Sequence, residues 1–136
     1  NITVSKKPDI STFKSQYPTI DVVVDVSDEG SLFLHSFYQA LGVTYFWFPM
    51  SERWSDIGIN SLFGALTILH DCDRKNKHVL LHCVQGQNRS VTVFEAYQFM
   101  QTGDETNLQQ LLWNTDGARL PKIDVMISFL TRMKEY

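Results

Sequence analysis

The sequence predicts an α/β fold: a single domain over residues 1–136 with a central, largely parallel sheet of about four to five strands flanked by helices. Two observations lead there. Short β-branched runs alternate with stretches of helical spacing, and such alternation folds as parallel strands joined by helical crossovers. No internal repeat or low-complexity linker divides the chain, and 136 residues suffice for one packed core.

The elements follow in order. Residues 20–26, IDVVVDV, form a β-branched run that suits a buried strand. A helix is predicted over 31–41, ended by Gly42. Residues 43–48 give a second strand, closed by Pro49. Ile59, Leu62, Phe63, Leu66 and Leu69 recur at helical spacing, which places a helix over 57–71. The apolar run 79–82 is a strand, and Val93, Ala96, Tyr97 and Met100 mark a helix over 91–100. A short helix follows over 108–113, and Ile123, Met126, Ile127, Leu130 and Met133 give a closing amphipathic helix.

Composition narrows the class of function. With 43% hydrophobic and 20% charged residues the chain has the make-up of a soluble globular domain. A net charge of -3 gives no general attraction to nucleic acid or anionic membranes. The longest apolar stretch, 43–50, is too short to span a bilayer, and no signal-peptide pattern is visible. Cys72 and Cys83 are expected at opposite ends of a helix and the strand after it, too far apart for a disulfide. A reducing, cytoplasmic setting and a monomeric chain are expected.

The segment His82-Cys83-Val84-Gln85-Gly86-Gln87-Asn88-Arg89-Ser90 carries the chemistry. It lies where a strand turns into a helix, at the carboxyl end where ligands of such sheets bind. There the amides of a tight turn and the helix N-terminus make an anion cradle. Val84, Gln85, Gly86, Gln87 and Asn88 supply its backbone, with Gly86 permitting the turn. Arg89 can add a planar two-pronged grip on phosphate oxygens. In that positive field Cys83 favours the thiolate, a nucleophile facing the bound phosphate. Ser90 offers a hydroxyl to stabilise the thiolate as it leaves, and His82 can hold the loop by hydrogen bonds.

This segment resembles the signature loop of the cysteine-dependent protein tyrosine phosphatases, and more narrowly that of the dual-specificity branch, His-Cys-x-x-Gly-x-x-Arg-Ser/Thr. The resemblance runs from about Tyr17 to Tyr136. It implies hydrolysis of phosphate monoesters through a phosphocysteine, with phosphotyrosine and phosphoserine/threonine proteins as the default substrates. No metal or organic cofactor is implied. The family's leaving-group acid is an aspartate after a Pro-x-Ser turn; the matching residue in Pro49-Met50-Ser51-Glu52 is a glutamate. Glu52 is the first assignment for the acid. Asp56, which also suits a helix N-cap, is the alternative, and a site without an effective acid is the third.

Rival readings keep the same loop. Gln85, Gln87 and Asn88 are neutral where loops that take inositol phosphates often carry lysines. The Asn88-Arg89 pair resembles loops of RNA 5′-triphosphatases, against which the acidic net charge counts mildly. A phosphoprotein-binding module with an altered acid is the third rival, disfavoured by the intact nucleophile. Phosphorylated protein is thus the expected partner, with nucleic acid and membrane disfavoured.

Overall fold

The structure is a computed structural model, and it describes residues 1–50, 59–85 and 89–103. Four strands form one parallel sheet: β1 (Ile2–Ser5), β2 (Val22–Asp25), β3 (Thr44–Trp47) and β4 (Val79–His82), in the spatial order β1-β4-β2-β3. The described helices are α1 (Phe13–Gln16), α2 (Leu32–Ala40), α3 (Ile59–Arg74) and α4 (Arg89–Thr102).

Strand order and handedness decide where the helices go. The chain moves one way across the sheet from β1 to β2 to β3 and then back across β2 to β4. Right-handed crossovers therefore put α1 and α2 on one face and α3 on the other. Both faces are covered, and strand side chains alternate between them. Val22, Val24, Val79 and Leu81 pack with Leu62, Leu66 and Leu69 of α3 and Val93, Ala96 and Phe99 of α4. Val23, Leu80 and Tyr45 pack with Phe13 of α1 and Leu34 and Tyr38 of α2.

Local signals set the ends of α2. Ser31 caps it, its Oγ accepting from the Leu34 amide at 3.2 Å. Gly42 follows its end at φ 76°, a left-handed position that suits glycine. Among the described residues the predicted strands and helices are present, with some bounds shifted. The helix predicted over 91–100 begins at Arg89 and runs to Thr102, and the one predicted over 57–71 extends to Arg74. Two elements, β1 and α1, were not expected from the sequence. Each is four residues long, and β1 lies at the sheet's edge, largely half-buried, with Thr3 and Ser5 breaking any apolar run. The helices expected over 108–113 and 123–133 lie outside the described residues.

Neither cysteine is in a disulfide, as expected, and both are buried. Among the described residues no helix is long and apolar enough to cross a membrane.

Candidate active site

β4 is an inner strand, flanked by β1 and β2, and its carboxyl end delivers His82 and Cys83 into the fold's interior. Backbone bonds pin this end to its neighbours: the Val26 amide donates to the His82 carbonyl and the Lys7 amide to the Val84 carbonyl, each at 2.9 Å. Cys83 is 2% exposed and packs in the core shared by α3 and α4. Its Sγ lies 3.2 Å from Oγ of Ser90, which is fully buried in the first turn of α4. The sulfur thus sits near the positive end of a 14-residue helix. Val84 is half-buried and Gln85 exposed. Gly86, Gln87 and Asn88 lie outside the described residues, as do Glu52 and Asp56.

Arg89 is 4% exposed, and two partners hold its Nη1. Nη1 donates to the Met50 carbonyl at 3.0 Å and to Oδ1 of Asp28 at 3.2 Å. Cys83 and Ser90 are therefore brought into contact at one strand-to-helix junction, with Arg89 as the first residue of the helix.

A polar layer beneath the loop was not foreseen. Asp25 and His82 are register partners on β2 and β4, and with Tyr45 of β3 they face α1 and α2. Asp25 is fully buried, and both of its carboxylate oxygens accept: Oδ2 from the Tyr45 hydroxyl at 2.6 Å, Oδ1 from the Ser27 amide at 2.8 Å. Burial, and then the bond to Asp25, push the Tyr45 hydroxyl's pKa up, so it stays a donor. His82 Nδ1 lies 2.9 Å from the Cys83 carbonyl and 3.9 Å from Oδ1 of Asp25. A carbonyl only accepts, so the proton is on Nδ1 when the ring is neutral. Burial lowers the His82 pKa, with Asp25 opposing that shift. The imidazole thus holds the cysteine's carbonyl, with a buried carboxylate 3.9 Å from the same nitrogen.

Sequence reading missed Asp25, Asp28, Tyr45 and the Met50 carbonyl. The signal for the first two was available: they lie at and just past the carboxyl end of β2, beside the end of β4. Tyr45 and Met50 had none, since only tertiary packing sets a hydroxyl against Asp25 and a carbonyl against Arg89.

Among the described residues no group of three His, Cys, Asp or Glu could hold a metal ion.

Comparison with known proteins agrees with this geometry. The profile of the family described as "Dual specificity phosphatase, catalytic domain" matches residues 2–136. Dual specificity protein phosphatase 22 of Xenopus tropicalis is 31% identical over 78 residues, which is 57% of this chain and 36% of that protein's length. Among solved structures, Tk-PTP in its active form superposes with a TM-score of 0.71 at 21% identity, covering 98% of this chain and 91% of the other. PTPMT1 in complex with PI(5)P superposes with a TM-score of 0.73 at 12% identity, covering 99% and 93%. At these identities the two structures show a shared fold.

Proposed function

The chain belongs to the dual specificity phosphatase catalytic-domain family, and from that premise we propose that it hydrolyses phosphate monoesters of phosphotyrosine and phosphoserine/threonine proteins. The observation that carries this reading is the placement of Cys83 Sγ 3.2 Å from Ser90 Oγ at the start of α4, with Arg89 beside it. The Cys83 thiolate attacks phosphorus, and the ester P–O bond breaks as the leaving oxygen takes a proton from Glu52 or, in the alternative assignment, Asp56. Arg89 and the amides of Val84 to Asn88 hold the equatorial oxygens throughout. Water, deprotonated by the same acid's conjugate base, then attacks phosphorus. The P–S bond breaks, and the Ser90 hydroxyl stabilises the departing thiolate. No metal or organic cofactor enters these steps. A reducing cytoplasmic setting suits such a thiolate.

A protein substrate is supported by the likeness to dual specificity protein phosphatase 22 and by a loop whose residues Gln85, Gln87 and Asn88 carry no charge. A second reading, inositol phosphates or phosphoinositides, draws on the fold shared with PTPMT1, solved with PI(5)P, and with the PP-IP phosphatase SIW14 of S. cerevisiae. A panel of aryl phosphate, phosphopeptides, inositol phosphates and triphosphorylated RNA, each with a Cys83→Ser control, tests the choice. Highest kcat/KM on phosphopeptides is expected. Highest kcat/KM on an inositol phosphate or on RNA would replace the protein substrate while keeping the site.

A further inference from the structure

We propose that the free edge of β3 is a dimer interface, at which two copies of the chain pair β3 against β3, antiparallel about a two-fold axis at Phe46, and join their sheets into one. The inference is independent of the phosphatase reading and concerns a surface that reading leaves unused. A monomeric chain was the expectation; the state of this edge is the observation against it.

Among the described residues the sheet ends at β3, which pairs with β2 alone. Its inner side is fixed by β2: the Thr44 amide donates to the Asp21 carbonyl at 3.1 Å and the Phe48 amide to the Asp25 carbonyl at 2.8 Å. Along a strand the backbone groups of successive residues point to opposite sides. Thr44, Phe46 and Phe48 therefore face β2, and the amides and carbonyls of Tyr45 and Trp47 face outward, without a partner among the described residues. Protein edges are commonly guarded by lysine, proline or a bulge. The strand Thr44-Tyr45-Phe46-Trp47 has no such guard and consists of residues that favour strands.

A copy turned about Phe46 sets Tyr45 opposite the second copy's Trp47, and Trp47 opposite its Tyr45. Both are outward-facing residues, so each pair can exchange its two amide-to-carbonyl hydrogen bonds. The side chains suit the same register. Tyr45 and Trp47 lie on the face that carries α2. The Trp47 indole rests on Gly30, donates from Nε1 to the Ser27 carbonyl at 2.8 Å, and remains 41% exposed. Beside Tyr45 lies an open groove of about 280 Å³, lined by His35 and Gln39 of α2 and by residues Gly42 to Tyr45. The two-fold axis lays the exposed part of each indole against the other copy's Tyr45 and its groove. Protrusion and recess stand two residues apart on one edge, so the surface complements itself, and a second copy is its occupant.

Charge points to the same occupant. The chain carries a net charge of -3, so two copies repel. A two-fold contact also sets like against like, and is favoured where charge is absent. Residues 30–51 contain no Asp, Glu, Lys or Arg, although 20% of the chain is charged. That stretch includes all of α2 and β3, the two elements that form this edge. A surface helix ordinarily carries charge on its outer face. Leu32, one turn before His35 on the stripe of α2 that lines the groove, is instead 88% exposed. In the dimer the two α2 helices run side by side over the joined sheet, and Leu32 is covered. The contact belongs to the small class, below about 1,200 Å², which associates weakly.

Sedimentation equilibrium of the whole chain, from about 5 to about 300 µM, reads the association. The mass should rise toward twice that of the chain. Trp47→Lys, a guard of the kind other edges use, should weaken association about tenfold or more. Gln39→Lys, at an exposed position in the groove, carries the same expectation without touching the turn on which Trp47 packs. Disulfide capture under mild oxidation reads the register. At the axis the two Phe46 Cα atoms lie about 4.5 Å apart, within disulfide reach, so Phe46→Cys should link two copies. The two Thr44 residues lie about 13 Å apart along the strands, so Thr44→Cys should not. A mass that stays monomeric to about 300 µM would overturn the inference and leave the edge to a strand of another protein. Association unchanged in both lysine variants, or a dimer that Phe46→Cys does not link, would overturn it as well. No readout uses catalysis, so failure here leaves the phosphatase reading standing, and absence of Cys83-dependent hydrolysis would leave the dimer standing.

Discussion

Removing the Tyr45 hydroxyl probes the polar layer beneath the cysteine loop. Tyr45→Phe keeps the ring, which stacks on Tyr38 with centroids 5.3 Å apart, so no cavity opens. What is lost is one donor, 2.6 Å from Oδ2 of Asp25. Asp25 is fully buried, so water cannot take the hydroxyl's place, and its other oxygen already accepts from the Ser27 amide. Hydrogen bonds to charged groups contribute about 1.5–3 kcal/mol, and the loss should fall in that range. Urea unfolding reads it as a lower midpoint at unchanged slope. In an Asp25→Asn background the same change should cost less than about 1 kcal/mol, because the charge that made the bond strong is gone. A loss below about 0.5 kcal/mol in the wild-type background would refute the claim that Asp25 depends on this donor.

Three further outcomes are expected. Arg89→Lys should be nearly as damaging as Arg89→Ala, with losses in both substrate binding and turnover, because an ammonium cannot reproduce a planar grip while also reaching Asp28 and the Met50 carbonyl; near wild-type kinetics in the lysine variant would remove Arg89 from contact with phosphate. Glu52→Gln should slow a substrate with a poor, alkyl-like leaving group far more than one with a good aryl leaving group, while Asp56→Asn should show little such selectivity; the reverse pattern would transfer the acid's role to Asp56. Burial depresses the His82 pKa, so the unfolded chain takes up the proton first, and the stability due to this group is full above about pH 6.5 and falls as pH drops below it. Urea midpoints measured from about pH 7.5 to about pH 5.5 should therefore fall less steeply in His82→Gln than in wild type, and an equal slope would show that His82 is not the group responsible.

The parts of this molecule that were legible in its sequence are those written in local pattern. The β-branched run around Val22 to Asp25 and the apolar run Val79 to His82 are buried on both faces, so they read as strands without any partner in view. The Cys83-Arg89-Ser90 constellation was legible because one junction of strand and helix brings its members together from adjacent sequence. The elements β1 and α1 were not, since four residues at a sheet edge and a single turn of helix carry too little periodicity to stand out. The layer of Asp25, Tyr45 and His82 draws one residue from each of three strands, and only the register of the sheet reveals that they meet. Asp28 reaches Arg89 across 61 positions of sequence, a pairing set by the turn after β2 and not by spacing along the chain.

The central claim is that Cys83 carries the phosphoryl group between its two transfers. Rapid quenching of the wild-type chain during its first turnover of an aryl phosphate, followed by peptide mapping in a mass spectrometer, tests it most directly. A phosphoryl adduct on the peptide containing Cys83, formed before steady state and absent from Cys83→Ser, is the predicted result. An adduct on another residue, or hydrolysis retained in Cys83→Ser, would contradict it.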